Sequence, residues 1–247
     1  MSLDYCADQY LLQLADRSQI LALSPDATKS FSYLRDEAHG LPSVRATAED
    51  VLSLRPDLVV RSYGGGPLVG SFLERAGVPV VQLPWVVSVD GDSQSSVTAA
   101  ISLVAARLGQ DQRGRELIAE FRLRLRNVRA QGATGRAMYM SAAGFTSGSG
   151  TLISDLLATA GLQNYETRSG WHPLPLEALV YDTPERVASS FFGVASNHKN
   201  AWSAARHPIA NQLRERGSTI TLDGATTACG AWFIADAAEA LAGVRVP

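Results

Sequence analysis

The side chains best suited to chemistry here are four histidines, two cysteines and the Ser/Gly loops, so their spacing is the first question. His39, His172, His198 and His207 are scattered, and none sits in an HExxH or other metal-ligand pair. His172 stands out only because it follows Trp171 in a predicted loop. Cys6 and Cys229 lie too far apart for a CxxC redox pair or a zinc ribbon; they fit either a reduced compartment or a single bridge. No GxSxG nucleophile elbow is present. The run TSGSGT (146–151) looks like a phosphate loop but lacks the lysine that would reach a phosphate. It reads as a cap for the helix beginning near Thr151, with anion binding at bare helix amides left open. The run YGGGP (63–67) follows a strand without a dinucleotide fingerprint, and is expected to bring its backbone close to a ligand or another chain.

The aromatic residues are more informative. Tyr5, Tyr63, Trp85, Phe145, Trp171 and Trp232 fall at or just past predicted strand ends, or at helix starts, instead of within helical stripes. Large rings in such places cover broad ligand faces at little entropic cost. The same residues would also serve as plugs between elements, so the set carries more weight than any single member.

The elements that must position these residues alternate between short apolar runs and helical patterns, the mark of α/β architecture. Gln19–Ser24, Asp57–Ser62 and Val78–Pro84 read as buried strands, and PLVGSFLERAG between the last two reads as a helix closed by Gly77. SQSSVTAAISLVAARLG runs from serine caps to Gly109. The following helix, from Asp111 to Gly132, puts Leu117, Ile118, Phe121, Leu125 and Val128 on one stripe and Arg115, Arg122, Arg126 and Arg129 off it. Beyond Gly135, RAMYMSA, RVASSFFGV and STITLD read as strands, while TLISDLLATAGL, HPIANQLRERG and WFIADAAEALAG read as helices. The second half echoes the first: RPDLVV answers TPERVA, and LERAGVPVVQL answers LRERGSTITL. We therefore expect two doubly wound α/β lobes joined by one long backbone helix. Their boundaries are 1–92 for the N-terminal lobe, 93–132 for the helical connection and 133–247 for the C-terminal lobe. Ligands bind such sheets at the carboxyl ends of the strands, which makes a cleft between lobes the expected site.

Composition narrows the partners. A net charge of −2 with interspersed signs gives no nucleic-acid footprint and no polybasic membrane patch. No apolar run approaches the roughly 20 residues of a membrane span, and Met1 is not followed by the basic and apolar regions of an export signal.

Five stretches, LDYCADQYLLQLAD, SVRATAEDVLSLRPDLVVRSYGGG, LERAGVPVVQLP, TSGSGTLISDLLATAGLQNYETRSGWHPLPLEALV and WFIADAAEAL, follow in order a known pattern. Over nearly its whole length the chain resembles the periplasmic binding proteins that serve iron-siderophore, haem and cobalamin ABC importers. The most specific part is the fourth stretch, which closes on a tryptophan segment ahead of LPLEALV. The resemblance implies a periplasmic, monomeric protein without catalysis, resident cofactor or metal. It would hold a metal chelate in an interlobe cleft and deliver it to an ABC permease in the inner membrane. Carried over by position, the cleft would be lined by Asp4, Tyr5, Cys6, Ser62, Tyr63, Gly64 and Trp85 from the first lobe. Phe145, Thr146, Trp171, His172 and Trp232 would line it from the second. The opening MSL stands where family members have an export signal and a full strand, so a lost or shortened first strand is expected. Family members dock through a surface glutamate on each lobe; Pro67 falls at the first of these positions, with Glu74 nearby. If Cys6 and Cys229 are joined, the bridge is expected to tie the two lobes. The rim is aromatic, with Arg61 and Arg168 its nearest bases, which favours a large, flat, weakly charged chelate such as a corrinoid or haem. The competing readings are a bilobal metal-dependent enzyme, for which only Asp4, Cys6, His172 and Cys229 are candidate groups, and a ligand sensor.

Overall fold

Side-chain caps and positive-φ glycines set the element boundaries. In a computed structural model, which describes residues 1–91, 93–191, 203–215 and 219–243, the chain divides into two compact units. Unit 1 comprises Met1–Val86, Gly91–Ala119 and Cys229–Trp232; unit 2 comprises Val87–Asp90, Glu120–Ala228 and Phe233–Pro247.

Unit 1 begins with α1 (Tyr5–Leu14), whose N-cap Asp4 accepts from the Ala7 amide and whose Ala7, Tyr10, Leu11 and Leu14 are buried at helical spacing. α2 (Ala48–Ser53) is capped by Thr47. It leads to β1 (Val59–Arg61), α3 (Val69–Arg75) and β2 (Val80–Gln82), the expected βαβ unit, with Gly77 at φ 86° ending the helix turn. α4 (Val97–Leu108) runs between the Ser96 cap and left-handed Gly109.

β1 and β2 pair in parallel, and three shorter extended segments widen the array. Ser2 bridges Val60 and Leu23 bridges Ser43, both in parallel sense, and the Ser2 amide donates to Ala22 O. Across the array the segments at 42–44, 22–23 and 1–3 are followed by β1 and β2. Strand order therefore reverses between residues 1–3 and β1, which makes that junction a topological switch point. Three residues thus do the work of the first strand.

The strand expected over Gln19–Ser24 is not formed. A 3-10 turn takes Arg17–Gln19, closed by a capping box in which the Gln19 side chain accepts from the Asp16 amide, and only Leu23 is left to make a bridge.

Met1, Leu3, Ala22, Val51, Val59 and Leu73 belong to the core of unit 1. Asp8 is fully buried beside it, accepting from Ser2 Oγ, the Ser24 amide at 2.9 Å and Ser24 Oγ at 2.6 Å. Burial outweighs these donors and pushes its carboxyl up to about 6. Between the unfolded value near 4 and this one, the native state binds the proton more readily than the unfolded chain. Stability from this group is therefore present at acid pH and falls by roughly 2–3 kcal/mol as pH rises through that window. Asp8→Asn is expected to flatten this component when urea unfolding is compared at pH 4 and pH 7. An unchanged pH slope would remove Asp8 from the account.

α5 (Asp111–Gln131) is the helix that runs from unit 1 into unit 2, with Leu117, Phe121, Leu125 and Val128 buried along the expected stripe. Unit 2 continues with β3 (Arg136–Ser141), β4 (Phe145–Ser147), α6 (Leu152–Thr159), β5 (Gln163–Asn164) and β6 (Trp171–Pro173). α7 (Ala178–Tyr181), β7 (Arg186–Phe191), α8 (Pro208–Glu215), β8 (Thr219–Asp223), α9 (Gly224–Thr227) and α10 (Ile234–Ala242) complete it. Of the strand expected at RVASSFFGV, residues 192–194 lie outside the described set. The sheet order is β5-β3-β7-β8, all parallel, while β4 and β6 form an antiparallel ribbon. Here too the unit's first strand, β3, sits between later ones, so the order reverses beside it. Arg124 of α5 reaches Glu239 at 2.6 Å and Asp236 at 2.5 Å, fastening α10 within this unit. Among the described residues no helix is long and apolar enough to cross a membrane.

Candidate ligand-binding site

At the switch point of unit 1 the chain leaves β1 through the loop Ser62–Gly66, which is held through both amides and carbonyls. Asp4 lies beneath it, 3% exposed. One carboxylate oxygen accepts from the amides of Ser62 (2.7 Å), Tyr63 (3.1 Å) and Gly64 (2.9 Å). The other accepts from the Ala7 amide and Ser62 Oγ. On the carbonyl side Arg61 donates through Nε to Gly64 O at 2.9 Å and through Nη2 to Gly66 O at 2.7 Å. Gln82 accepts from Arg61 Nη1 at 3.0 Å and donates to Ser62 O at 2.6 Å.

What the loop presents is Tyr63, 53% exposed, packed edge-on to Tyr5 at 6.0 Å between centroids; Tyr5 in turn meets Phe31 at 4.9 Å. Burial, the neighbouring Tyr5 and the charges of Asp4 and Asp26 push the Tyr63 phenol well above its ordinary range, so it is a neutral hydroxyl at physiological pH. Trp85, three residues beyond β2, is 82% exposed. The triglycine run makes its close approach within its own chain: a Cβ on Gly64 would stand 2.1 Å from Leu3 O. The switch-point crossing thus packs the loop directly on the first segment.

In unit 2, β4 follows β3 after a short turn and carries Phe145, 42% exposed, and Thr146, fully buried. The Thr146 hydroxyl has no hydrogen-bond partner among the described residues, a feature that costs stability and often marks a functional position. β6 brings Trp171 opposite Ser147 and His172 opposite Thr146. Trp171 is 48% exposed and stands edge-on to Tyr139 at 5.8 Å; His172 Nε2 is 2.8 Å from Ser169 O. The Ser/Gly run caps α6: Thr151 accepts from the Ser154 amide, and Ser147 and Thr151 share a hydroxyl contact. Its backbone is tied to the 168–170 turn, with Gly148 donating to Gly170 O and Gly170 to Ser149 O.

Cys6 and Cys229 are bonded to each other, with Cα atoms 5.5 Å apart. Cys229 belongs to unit 1, so the bridge is internal to that unit and does not serve as the tie between lobes that was expected of it. The reason is the excursion Cys229–Trp232, which leaves unit 2 and packs on α1. Gly230 O accepts from Tyr10 at 2.6 Å, and Trp232, 8% exposed, meets the Tyr10 ring at 5.8 Å. Trp232 is thus a buried side chain of unit 1, where the second lobe was expected to supply it as a rim residue. Both proposed bases are engaged: Arg61 in the loop, Arg168 with Glu166 at 2.6 Å. His198 lies outside the described residues. Among those described, no group of three or more His, Cys, Asp or Glu side chains is placed to hold a metal ion.

Residues 3–188 match the profile of the periplasmic binding protein family, three quarters of the chain. The chain belongs to that family. Solved structures superpose on this periplasmic binding protein over nearly its whole length. A periplasmic heme binding protein from Pseudomonas aeruginosa superposes with a TM-score of 0.73 at 24% identity, covering 98% of this chain and 90% of that one. HutB, the heme binding protein of Vibrio cholerae, gives 0.74 at 18%, covering 100% and 98%. BtuF, the vitamin B12 binding protein of Vibrio cholerae, gives 0.70 at 19%, covering 98% and 94%. No curated protein sequence matches. At these identities the superpositions establish the shared fold of this periplasmic binding protein, and its ligand has to be argued from its own residues.

Arg61 was noted in the sequence only as a nearby base, while Gln82 and Phe31 carried no signal. Their roles depend on contacts that no local spacing encodes: Gln82 reaches Ser62, twenty positions earlier.

Proposed function

We propose that this periplasmic binding protein captures a metal chelate of the corrinoid or haem type and delivers it to an ABC permease in the inner membrane. The observation that carries the reading is the set of exposed rings at strand ends, Tyr63 and Trp85 in unit 1 and Phe145 and Trp171 in unit 2. The nearest arginines are already engaged, so the rims offer broad aromatic surface and little positive charge. The names of the similar structures, heme and vitamin B12 binding proteins, point the same way. The enzyme reading draws no support: Asp4 is enclosed by hydrogen bonds and the two cysteines are joined, which removes three of its four candidate groups.

Titrating intrinsic tryptophan fluorescence with cyanocobalamin, haemin and a neutral ferric tris-hydroxamate is the test. Saturable quenching by cyanocobalamin or haemin is expected. Trp85→Ala and Trp171→Ala should each weaken that ligand about tenfold or more, as truncation of an exposed aromatic anchor does. Trp85→Ala should leave the unfolding temperature nearly unchanged, since the ring is mostly in solvent. No saturable response to cyanocobalamin or haemin would overturn the proposed ligand class.

A further inference from the structure

Successive backbone amides converging at the switch point of a parallel α/β array form a ready anion site. In unit 1 those amides belong to Ser62, Tyr63 and Gly64, and all three point at the same oxygen of Asp4. The carboxylate is contributed from residue 4, 58 to 60 positions away in sequence, and is 3% exposed. It stands where a ligand's phosphate or carboxylate would otherwise bind.

We infer that Asp4 is a specificity-determining residue: a built-in anion that closes the unit 1 switch point to anionic ligand groups and holds Tyr63 as the neutral contact presented there. The inference rests on the proposed chelate-binding function and deepens it. Three features support it together. These three donors are occupied, so an incoming anion finds none of them free. Arg61 is 6% exposed and its guanidinium is bound to Gly64 O, Gly66 O and Gln82, so its donors are directed at the loop itself and away from an incoming anion. The charge of Asp4, with Asp26 close enough to act on the same phenols, makes the local potential unfavourable to anions. The part of the ligand that meets unit 1 is then neutral or cationic, such as the flat face of a macrocycle, and any anionic substituents are directed elsewhere.

Two measurements test this, and they fail separately. The first needs no chelate. In Asp4→Ala the three amides lose their carboxylate, and sodium formate should restore it from solution. The variant's unfolding temperature should rise with formate relative to chloride at equal ionic strength, and the wild type's should not. If Asp4→Ala does not fold in chloride, recovery of the folded far-UV spectrum in formate is the same readout. No formate-specific response in either assay would overturn the claim that Asp4 fills an anion site.

The second uses a matched pair of iron complexes, a neutral ferric tris-hydroxamate and a trianionic ferric tris-catecholate, with wild type and the isosteric Asp4→Asn. Wild type should favour the neutral complex, and the variant should narrow that preference by about tenfold. A general structural loss would weaken both complexes alike and leave the ratio unchanged, which would overturn the specificity role. If wild type binds neither of these complexes nor cyanocobalamin or haemin while formate still stabilises Asp4→Ala, the chelate function fails and the filled anion site stands.

Discussion

Reduction of the Cys6–Cys229 bridge is expected to lower the unfolding temperature by on the order of 10 °C, because the two residues lie 223 positions apart. A cross-link over so long a loop removes much of the denatured chain's freedom. In the chain-entropy account this stabilises by about 5 kcal/mol, and a protein of this size shifts by roughly 2–4 °C for each kcal/mol. The bridge also has a local task. The excursion Cys229–Trp232 is held to α1 by the disulfide, by the Tyr10 hydroxyl on Gly230 O and by the Trp232 ring. Without the covalent link, its retention falls to non-covalent contacts such as the Tyr10 hydrogen bond and the Tyr10–Trp232 ring pair. Thermal unfolding of the oxidised protein, of the protein in a phosphine reductant and of Cys6→Ser/Cys229→Ser should show the two bridgeless forms coinciding below the oxidised one. A difference under about 2 °C would show that the denatured chain gains little from the cut. An oxidising periplasm is the compartment in which such a bond persists.

Legibility in the sequence followed the range of the interactions. α4 and α6 were readable because their caps are local: Ser96 and Gly109 bracket one, Thr151 opens the other. α5 was readable because 21 residues repeat one apolar stripe. α1 carried an equally local signal, an Asp cap followed by Ala7, Tyr10, Leu11 and Leu14, although the segment was singled out only for its family resemblance and its rim residues. The first strand and the Gln19–Ser24 run depended on pairings instead. Met1–Leu3 suffices because Val60 and Ala22 flank it, and Gln19 is lost from a strand because its side chain turns back to Asp16. The candidate site shows the same division. Exposed rings past strand ends were visible as a pattern, and Tyr63, Trp85, Phe145 and Trp171 are indeed exposed. The internal role of Asp4 and the placement of Trp232 in unit 1 were not visible, since each depends on partners more than fifty positions away.

Gly64→Ala should be the most damaging single methyl addition in unit 1, and the comparison with Gly66→Ala explains why. At Gly66 the backbone has φ 76° and a Cβ would meet nothing within 4 Å, so the penalty is conformational, about 1–2 kcal/mol. At Gly64 the Cβ would stand 2.1 Å from Leu3 O and 2.5 Å from Leu3 C, both backbone atoms that cannot swing aside as a side chain would. Either the loop lifts or the first segment shifts, and each breaks a paired set. Lifting the loop pulls the Ser62, Tyr63 and Gly64 amides off Asp4, while moving Leu3 breaks its bond to Val60 O. The cost is on the order of 3 kcal/mol or more, or roughly 6–12 °C in unfolding temperature. Because Tyr63 rides on this loop, chelate affinity should fall in Gly64→Ala even at temperatures where the variant is fully folded, and far less in Gly66→Ala. Unfolding curves and fluorescence titrations on both variants separate the outcomes. Equal losses at the two positions would mean that the loop tolerates displacement and that Tyr63 is not held in place by its contact with the first segment.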